Sequence, residues 1–268
     1  MGSLAFDGEV EDYQVTINPP AVASGVFGSE QIVSTSADSA YSVIAADVDG
    51  DGDMDLLSAS SNDDKIAWYE NDGSESFTTH TVSTSANGAL SVFAADVDGD
   101  GDNDVITSLA AHGYGLCWYE SQPKDGGITF VAHTFMNAKP EENRYGVKFS
   151  QLHGIDLVDM NRDGLLDIVT GKRFWAHGPR GDAEPNAAAV LYWFELRRTK
   201  KNGIDWVPHL IDDDSGIGTH VMATDMNADG WPDIVVGNKK GAFVHIQSPK
   251  KVSRKEWRQA QPKPHNAD

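Results

Sequence analysis

The chain has little that would hold it together covalently or place it in a membrane. Its 268 residues contain a single cysteine, Cys117, so no internal disulfide can form. No run of about 18 apolar residues occurs, which predicts that no helix spans a bilayer. Residues 1–10 lack the basic start and apolar stretch of a signal peptide, so none is expected here.

Basic residues are also scarce. Lys and Arg number 21 against 41 Asp and Glu, which gives a net charge of −20. A field of this sign repels phosphate backbones, so nucleic acid is not expected as a partner. Hydrophobic residues make up 40% of the chain, enough to bury a core, and 26 glycines fit a protein rich in turns.

The acidic residues concentrate in a nine-residue pattern that occurs four times. The copies are DVDGDGDMD from Asp47, DVDGDGDND from Asp96, DMNRDGLLD from Asp159 and DMNADGWPD from Asp225. Side-chain oxygens stand at positions 1, 3, 5 and 9, and a glycine at position 6 permits a sharp turn. Oxygens in this order can converge on one hard cation, so the pattern predicts up to four Ca²⁺ ions of mainly structural role.

The residue at position 7 of each loop is also a predicted ligand, because its backbone carbonyl normally binds the ion. The side chains of Asp53 and Asp102 at this position are therefore expected to face solvent. Copies three and four carry Asn161 and Asn227 at position 3, which lowers the charge and the predicted calcium affinity. The predicted ligands are Asp47, Asp49, Asp51, Asp53, Asp55, Asp96, Asp98, Asp100, Asp102, Asp104, Asp159, Asn161, Asp163, Leu165, Asp167, Asp225, Asn227, Asp229, Trp231 and Asp233.

Short apolar runs flank each loop, so the loops are predicted to join two antiparallel strands rather than the helices of an EF-hand. A third strand follows in each copy, as KIAWYE, GLCWYE, VLYWFE and AFVHIQ, and aligns Trp68, Trp118 and Trp193 in one column. A fourth strand aligns His80, His133 and His209. Four strands in each of four repeats predict an all-β fold, a β-propeller of four-stranded blades. Both columns are assigned to blade packing.

With these loops and strands, the chain resembles the FG-GAP/VCBS repeats of integrin-like calcium-binding β-propellers over about residues 27–247. The resemblance implies a calcium loop between the first two strands of each blade. It also implies an extracellular or cell-surface location and a role in recognition, such as cell adhesion. Millimolar calcium outside cells suits sites of moderate affinity.

The two ends limit the predicted propeller to residues 26–247. Residues 1–25 are interpreted as a linker or the end of a preceding domain, and the basic residues 248–268 as a disordered tail. The fourth repeat lacks an outer strand, which residues 26–35 could supply as a clasp. A four-bladed ring, a partial ring, additional blades and an oligomer all remain open.

Two insertions, residues 138–152 and 171–189, are predicted to meet on the face opposite the calcium loops, because antiparallel strands place alternate connections at opposite ends. Cationic and aromatic side chains gather in them, which suits an anionic or polyhydroxylated ligand. The alternative is an ordered surface loop with solvated charges. The candidate ligand-binding residues are Arg144, Tyr145, His153, Lys172, Arg173, Trp175, His177, Arg180, His220 and Lys239.

Three functions are compatible with this pattern. A recognition module that binds a polysaccharide or an extracellular protein is favoured, since it needs no catalytic residues. A lyase or dehydratase acting on acidic sugars is the second, with catalytic candidates His153, Arg173, His177 and His220. The third is a non-catalytic scaffold segment of a larger exported protein. No nucleophile elbow, P-loop or zincin motif occurs in the sequence.

Overall fold

The computed structural model describes residues 25–124, 126–199 and 203–265, and its strands confirm the predicted all-β fold. The compact unit that begins at Val33 contains all the strands found in the described residues. The strands are β1 Ala40–Ala46, β2 Asp55–Ser60, β3 Lys65–Asn71, β4 Phe77–Ser83, β5 Val92–Ala95, β6 Asp104–Ser108, β7 Leu116–Lys124, β8 Gly127–Met136, β9 Ile155–Val158, β10 Asp167–Gly171, β11 Leu191–Arg198, β12 Ile204–Asp212, β13 Val221–Thr224, β14 Asp233–Asn238 and β15 Gly241–His245.

These strands form four antiparallel sheets, each built from strands consecutive in sequence. Three sheets have four strands, in the orders β1-β2-β3-β4, β5-β6-β7-β8 and β9-β10-β11-β12, and the fourth sheet has the order β13-β14-β15. Consecutive pairing needs only short connections, which the glycine-rich turns supply. The sheets are the four blades of a β-propeller, and blades one to four are numbered along the chain.

The hydrophobic core lies between successive blades. Leu57 and Trp68 of blade one pack with Val105 of blade two in the first layer. A second layer joins blades two and three, and a third joins blades three and four. The second strands β2, β6 and β10 are buried along nearly their whole length, and each has two adjacent apolar residues that face opposite sides of the sheet.

The outward faces of the first and last blades are less covered. Tyr41 and Val43 of β1 are 66% and 64% exposed, and Met222 and Val244 of blade four are 47% and 48% exposed. No strand occurs between residues 25 and 39, so the clasp predicted from residues 26–35 is absent and blade four keeps three strands. That segment lacks the alternation of a strand, since its apolar residues are interrupted by serines and a glycine.

The prediction of a disordered tail is wrong for part of residues 248–265. A helix, α1, spans Arg254–Ala260. Ser253 accepts a hydrogen bond from the Glu256 backbone N–H at 3.2 Å, and the Glu256 carboxylate accepts one from the Ser253 N–H at 2.8 Å. This reciprocal capping box favours the helix start. The Arg197 guanidinium lies over the Trp257 ring at 5.5 Å and joins α1 to blade three. The interpretation of residues 1–25 falls almost wholly outside the described residues.

Candidate metal loops and axial cavity

Each aspartate loop joins the first two strands of its blade, as predicted. The glycines at position 6 have φ between 86° and 103°, a backbone region that only glycine enters without strain. Position 4 also has positive φ, and it is Gly50, Gly99, Arg162 and Ala228 in the four copies. The loops therefore share one backbone course although the residue at position 4 varies.

The aspartate at position 1 folds the loop by accepting hydrogen bonds from the backbone. Asp47 accepts from the N–H groups of Gly50 at 2.9 Å and Gly52 at 3.1 Å. Asp159 accepts from Asp163 at 3.0 Å and Gly164 at 2.9 Å. The Asp225 carboxylate repeats this arrangement with its own loop. These bonds are made within each loop, so they contribute to its shape.

The aspartate at position 9 is buried in all four blades, where it joins the loop to the third-strand side of the blade by hydrogen bonds. It is at most 1% exposed, and its two oxygens accept one N–H from position 2 of the loop and one from the third strand or the residues just after it, at 2.7 to 3.0 Å. The pairs are Val48 and Asn71 for Asp55, Val97 and Ser121 for Asp104, Met160 and Leu196 for Asp167, and Met226 and Gln247 for Asp233.

Burial raises the pKa of Asp104 and of Asp167 to about 7, against the hydrogen bonds that favour the charged form. Burial, followed by neighbouring carboxylates, also raises the pKa of Asp49 and Asp98 at position 3. Negative charge is therefore costly in these loops on their own. A dication would reverse that cost.

The donor sets of loops one and two fit a calcium ion. Carboxylate oxygens of Asp47, Asp49 and Asp55 lie within 4.8 Å of one another, and so do those of Asp96, Asp98 and Asp100. Oxygens that bind calcium at about 2.3–2.6 Å stand up to roughly 5 Å apart on the coordination sphere. These two loops thus present oxygens at the right spacing and of the right chemistry.

Loops three and four distribute their charge differently. The Asn161 amide donates to the Asp163 carboxylate at 3.0 Å, and Asn227 donates to Asp229 at 3.0 Å. An amide donor offsets part of the repulsion that a carboxylate at this position would add. The Leu165 and Trp231 N–H groups at position 7 donate to the position 5 carboxylates at 2.9 Å. Their predicted role as carbonyl ligands stays a prediction.

The side chains of Asp53 and Asp102, at position 7 of loops one and two, are partly exposed, and their predicted orientation to solvent stays a prediction. The Asp53 carboxylate lies against Gly73 in the next hairpin, where an added Cβ would come within 2.5 Å of it. Asp102 lies beside Gly50 of the neighbouring loop, 3.5 Å from the position of such a Cβ. Both acidic side chains are therefore held by packing against glycine.

The tryptophan and histidine columns pair across strands three and four, in agreement with their assignment to blade packing. His80, His133 and His209 stack on the tryptophans at 4.4, 4.5 and 4.3 Å between ring centroids. Each histidine also hydrogen-bonds a glutamate two residues beyond the tryptophan, at 2.5 to 2.8 Å. The units are Trp68, His80 and Glu70, Trp118, His133 and Glu120, and Trp193, His209 and Glu195.

The face opposite the aspartate loops carries a cavity of about 730 Å³ around the propeller axis. All four blades contribute to its wall. The side chains include Tyr41 and Asn62 from blade one, His112 from the β6–β7 loop of blade two, His153, Arg173 and His177 from blade three, and Thr219 before blade four.

Three histidines stand in contact on the blade-three side of this axial cavity. The His112 ring is 4.8 Å from the His153 ring and 4.3 Å from the His177 ring. His153 is 3% exposed, and its Nδ1 accepts a hydrogen bond from Arg173 at 3.3 Å, which places the ring proton on Nε2. Burial, then the Arg173 charge, lowers the pKa of His153 to about 3, so this imidazole is neutral at neutral pH.

Asp182 supports the outermost histidine. Its carboxylate accepts from the His177 Nδ1 at 2.9 Å and from the His177 backbone N–H at 2.8 Å. Burial would raise the pKa of Asp182, but these hydrogen bonds outweigh it and the pKa is lowered. The His112 side chain is largely exposed, but its partial burial still lowers its pKa, which favours the neutral form.

The two insertions meet below the cavity, as predicted. Ser150 Oγ and Gln151 Nε2 donate to the Ala183 carbonyl at 2.7 and 3.1 Å. Lys148 pairs with Glu184 at 2.7 Å. The Gln151 side-chain oxygen in turn accepts from the Ala176 N–H at 3.1 Å. The loop that carries Arg173, His177 and Asp182 is thus anchored rather than loosely solvated.

The candidate ligand residues do not all share this surface. His153, Arg173 and His177 line the axial cavity. Arg144 and Tyr145 instead bind Asp205 of β12, at 3.2 and 2.7 Å, in a groove between blades two and three, so the expectation of one common face is wrong for them. Asp205 of β12 lies close to both residues in the folded chain, and this contact between distant parts of the sequence could not be predicted.

Lys172 is also misplaced by the sequence prediction. Its side chain is 1% exposed, and its Nζ donates to Ser150 at 3.0 Å. Burial lowers the pKa of this lysine. A buried ammonium cannot meet a ligand in the cavity, so its place is under the loop.

The remaining candidates lie around the cavity rather than in its wall. Trp175 stacks on Phe174 at 4.7 Å and has φ of 45°. Lys239 binds the Trp175 and Ala176 carbonyls at 2.6 and 2.9 Å. Arg180 and His220 are exposed and are not part of the described lining.

Comparison with known proteins found one family model and solved structures to which the chain is similar. A model of the FG-GAP-like repeat matches residues 47–107. A solved lectin of Agrocybe aegerita, described as recognising non-reducing terminal N-acetylglucosamine, is 18% identical with a TM-score of 0.45. The match covers 75% of this chain and 47% of the lectin chain, so this chain spans about half of that structure. No curated protein matches the chain. No helix in the described parts of the chain has the length and apolarity to cross a bilayer. The repeat match, which covers one loop and its neighbouring strands, and the four blades together support the resemblance of the chain to FG-GAP repeat β-propellers.

Proposed function

We propose that the chain is a calcium-stabilised recognition module that binds a polysaccharide or glycan in its axial cavity. The observation that carries the proposal is that all four blades line one cavity on the face away from the aspartate loops. Its volume of about 730 Å³ falls within the 300–1,000 Å³ of ordinary ligand sites.

The lining suits a polyhydroxylated ligand, and an acidic sugar in particular. Arg173 supplies a guanidinium that can pair with a carboxylate in two parallel hydrogen bonds. Tyr41 offers an aromatic face for a sugar ring, and Asn62 offers an amide. An extracellular protein that presents an acidic side chain is the second type of partner with this chemistry.

Calcium has the supporting role in this proposal. Up to four ions bind the loops, and loops one and two, which carry a carboxylate at position 3, bind more tightly than the loops with Asn161 and Asn227. The ions keep the hairpin turns at one end of the blades in place. Such sites suit the millimolar calcium outside cells, so the proposed location of the full-length protein is extracellular or at the cell surface.

The test is a screen of glycans and uronate polymers against the calcium-saturated protein. We expect retention that falls at least tenfold in Arg173→Gln and is unchanged in Arg258→Gln, a matched loss of a guanidinium on exposed helix α1. Equal retention by both variants, or no retention by the unaltered protein, would overturn the proposed site. Thermal melting of both variants confirms that the fold is intact.

A second candidate function is elimination from an acidic sugar. His112, whose pKa is lowered by burial, and the Arg173 guanidinium line the same cavity. A neutral imidazole can accept a proton while a cation stabilises the developing enolate. The same screen separates the two functions, because new ultraviolet absorbance from an unsaturated product identifies a lyase and retention without absorbance identifies a binding module.

A further inference from the structure

A cluster of metal-ligating side chains lies at the rim of the axial cavity, on the face opposite the aspartate loops. Its ligand types differ from those of the loops, because it includes histidines. His112, His177 and Asp182 each offer one ligand atom, and the three atoms lie within 4.8 Å of one another. The two imidazole rings are 4.3 Å apart at an angle of 64°. We propose that these three residues bind a divalent transition ion, of which Zn²⁺ is the representative.

The His177 and Asp182 pair is already spaced as two neighbouring ligands. His177 Nδ1 and Asp182 Oδ1 are 2.9 Å apart. Ligands that hold zinc at about 2.0–2.2 Å stand roughly 3 Å apart, so the ion can replace the proton that this hydrogen bond shares. The other Asp182 oxygen remains bound to the His177 backbone N–H at 2.8 Å, which keeps the carboxylate in position.

His112 completes the set from another blade. Its side chain is exposed, as is that of His177, so a ring rotation can bring a nitrogen from within 4.8 Å to bonding distance. His153 packs against the His112 ring at 4.8 Å and is itself 3% exposed, which gives the moving ring a fixed wall. A site that draws on blades two and three would link their loops.

The donor types separate this site from the calcium loops. Two imidazoles and one carboxylate suit Zn²⁺ and its neighbours in the first transition row, whereas calcium takes oxygen ligands only. Three protein ligands leave a fourth position for water or a ligand atom. Because His112 and His177 line the axial cavity, that position opens into it.

The turn that carries the pair is built for close approach. A Cβ on Gly181 would lie 2.5 Å from the His177 carbonyl oxygen and 2.7 Å from the His177 Cβ. Any larger residue at position 181 would push Asp182 away from His177. Glycine at position 181 is therefore required by the tight turn between His177 and Asp182.

The test uses the whole chain in excess calcium, which occupies the aspartate loops, and titrates it with Co²⁺ as a spectroscopic probe. We expect visible d–d absorption that saturates at one cobalt per chain and is abolished by one equivalent of Zn²⁺. His112→Ala and Asp182→Asn are each expected to weaken cobalt binding at least tenfold. His265→Ala, which removes an exposed histidine outside the cluster, is the matched control and should bind normally.

Absence of the absorption band, or equal affinities in all variants, would overturn the proposal. Equal weakening in His265→Ala would overturn it as well, since the effect would not belong to the cluster. Melting temperatures in calcium show whether Asp182→Asn is folded, and His112→Ala, at an exposed side chain, keeps the test decisive. The inference does not rest on glycan binding, because cobalt absorption and glycan retention are measured separately.

Discussion

Replacing Asp104 by asparagine should destabilise the protein when calcium is bound and leave its stability nearly unchanged when calcium is removed. Both oxygens of this 1% exposed carboxylate accept buried backbone N–H groups, from Val97 at 2.9 Å and Ser121 at 2.8 Å. Asparagine keeps one oxygen and turns an NH₂ group toward the other N–H. Leaving one buried N–H without an acceptor costs about 1–3 kcal/mol.

The buried charge acts in the other direction when no cation is bound. The pKa of Asp104 is raised from 3.8 to about 7 by burial, which corresponds to at most about 4 kcal/mol between the protonated and ionised forms. Asparagine removes this penalty near and above pH 7. In chelator, the stability gained by removing the buried charge and the stability lost with the hydrogen bond are of similar size. The net change in unfolding free energy is therefore expected to be about zero.

When calcium is bound, the substitution no longer relieves a buried charge, but it still removes a hydrogen bond. The ion compensates the carboxylate charge in the unaltered protein, so the variant loses a hydrogen bond and an anionic group beside the ion. We expect destabilisation of about 2 kcal/mol or more in saturating calcium. The assay is urea unfolding at pH 7.5 with calcium and with chelator. Asp102→Asn, two residues away and half-exposed, is the control.

A pH series in chelator gives an independent check on the same group. A raised folded-state pKa means that the folded protein holds its proton more tightly than the unfolded chain. The associated stability is therefore fully present below about pH 4 and is lost as pH rises to about 7. Asp104→Asn should flatten this slope. Equal effects of the substitution in calcium and chelator, together with an unchanged slope, would refute the reasoning.

Three further changes test other parts of the molecule. Asn161→Asp should raise the calcium affinity of loop three in calorimetric titration, because it adds a carboxylate at position 3; an unchanged or lower affinity would contradict the assigned loop chemistry. His133→Gln should lower the unfolding free energy by about 1 kcal/mol and alter Trp118 fluorescence, since it removes the ring stacked at 4.5 Å; unaltered fluorescence would contradict this packing. Gly181→Ala should abolish cobalt binding while leaving melting in calcium nearly unchanged, because the added Cβ meets the His177 carbonyl oxygen at 2.5 Å; normal cobalt binding would show that the turn is not required.

The repeating parts of the fold could be predicted from the sequence because their causes are local. Each aspartate loop carries its own turn residue at position 6, and short apolar runs of strand length stand on both sides of it. The tryptophan column could be assigned because Trp68 and Trp118 each precede the dipeptide Tyr-Glu in the third strand of their blade. A local pattern that recurs along the chain predicts the same structural unit at each occurrence.

The partners of individual charged residues could not be predicted in the same way. His112 and Asp182 belong to different blades, and only the packing of blades two and three brings them together. Lys172 carries a charge that normally lies at the surface, yet the neighbouring insertion covers it. The helix after Ser253 did have a local cause, the capping box with Glu256, but its polar composition concealed it.

The distribution of charge between the two ends of the axis gives the molecule an electrical direction. The aspartate loops make one end strongly negative, while Arg173 and Lys239 stand at the other end of a chain whose net charge is −20. We expect a polyanion to be repelled by the aspartate-loop end and to meet less repulsion near Arg173 and Lys239. Dissolved salt shortens the reach of this guidance to about 8 Å at physiological ionic strength, so it orients a ligand only during the last stage of the encounter.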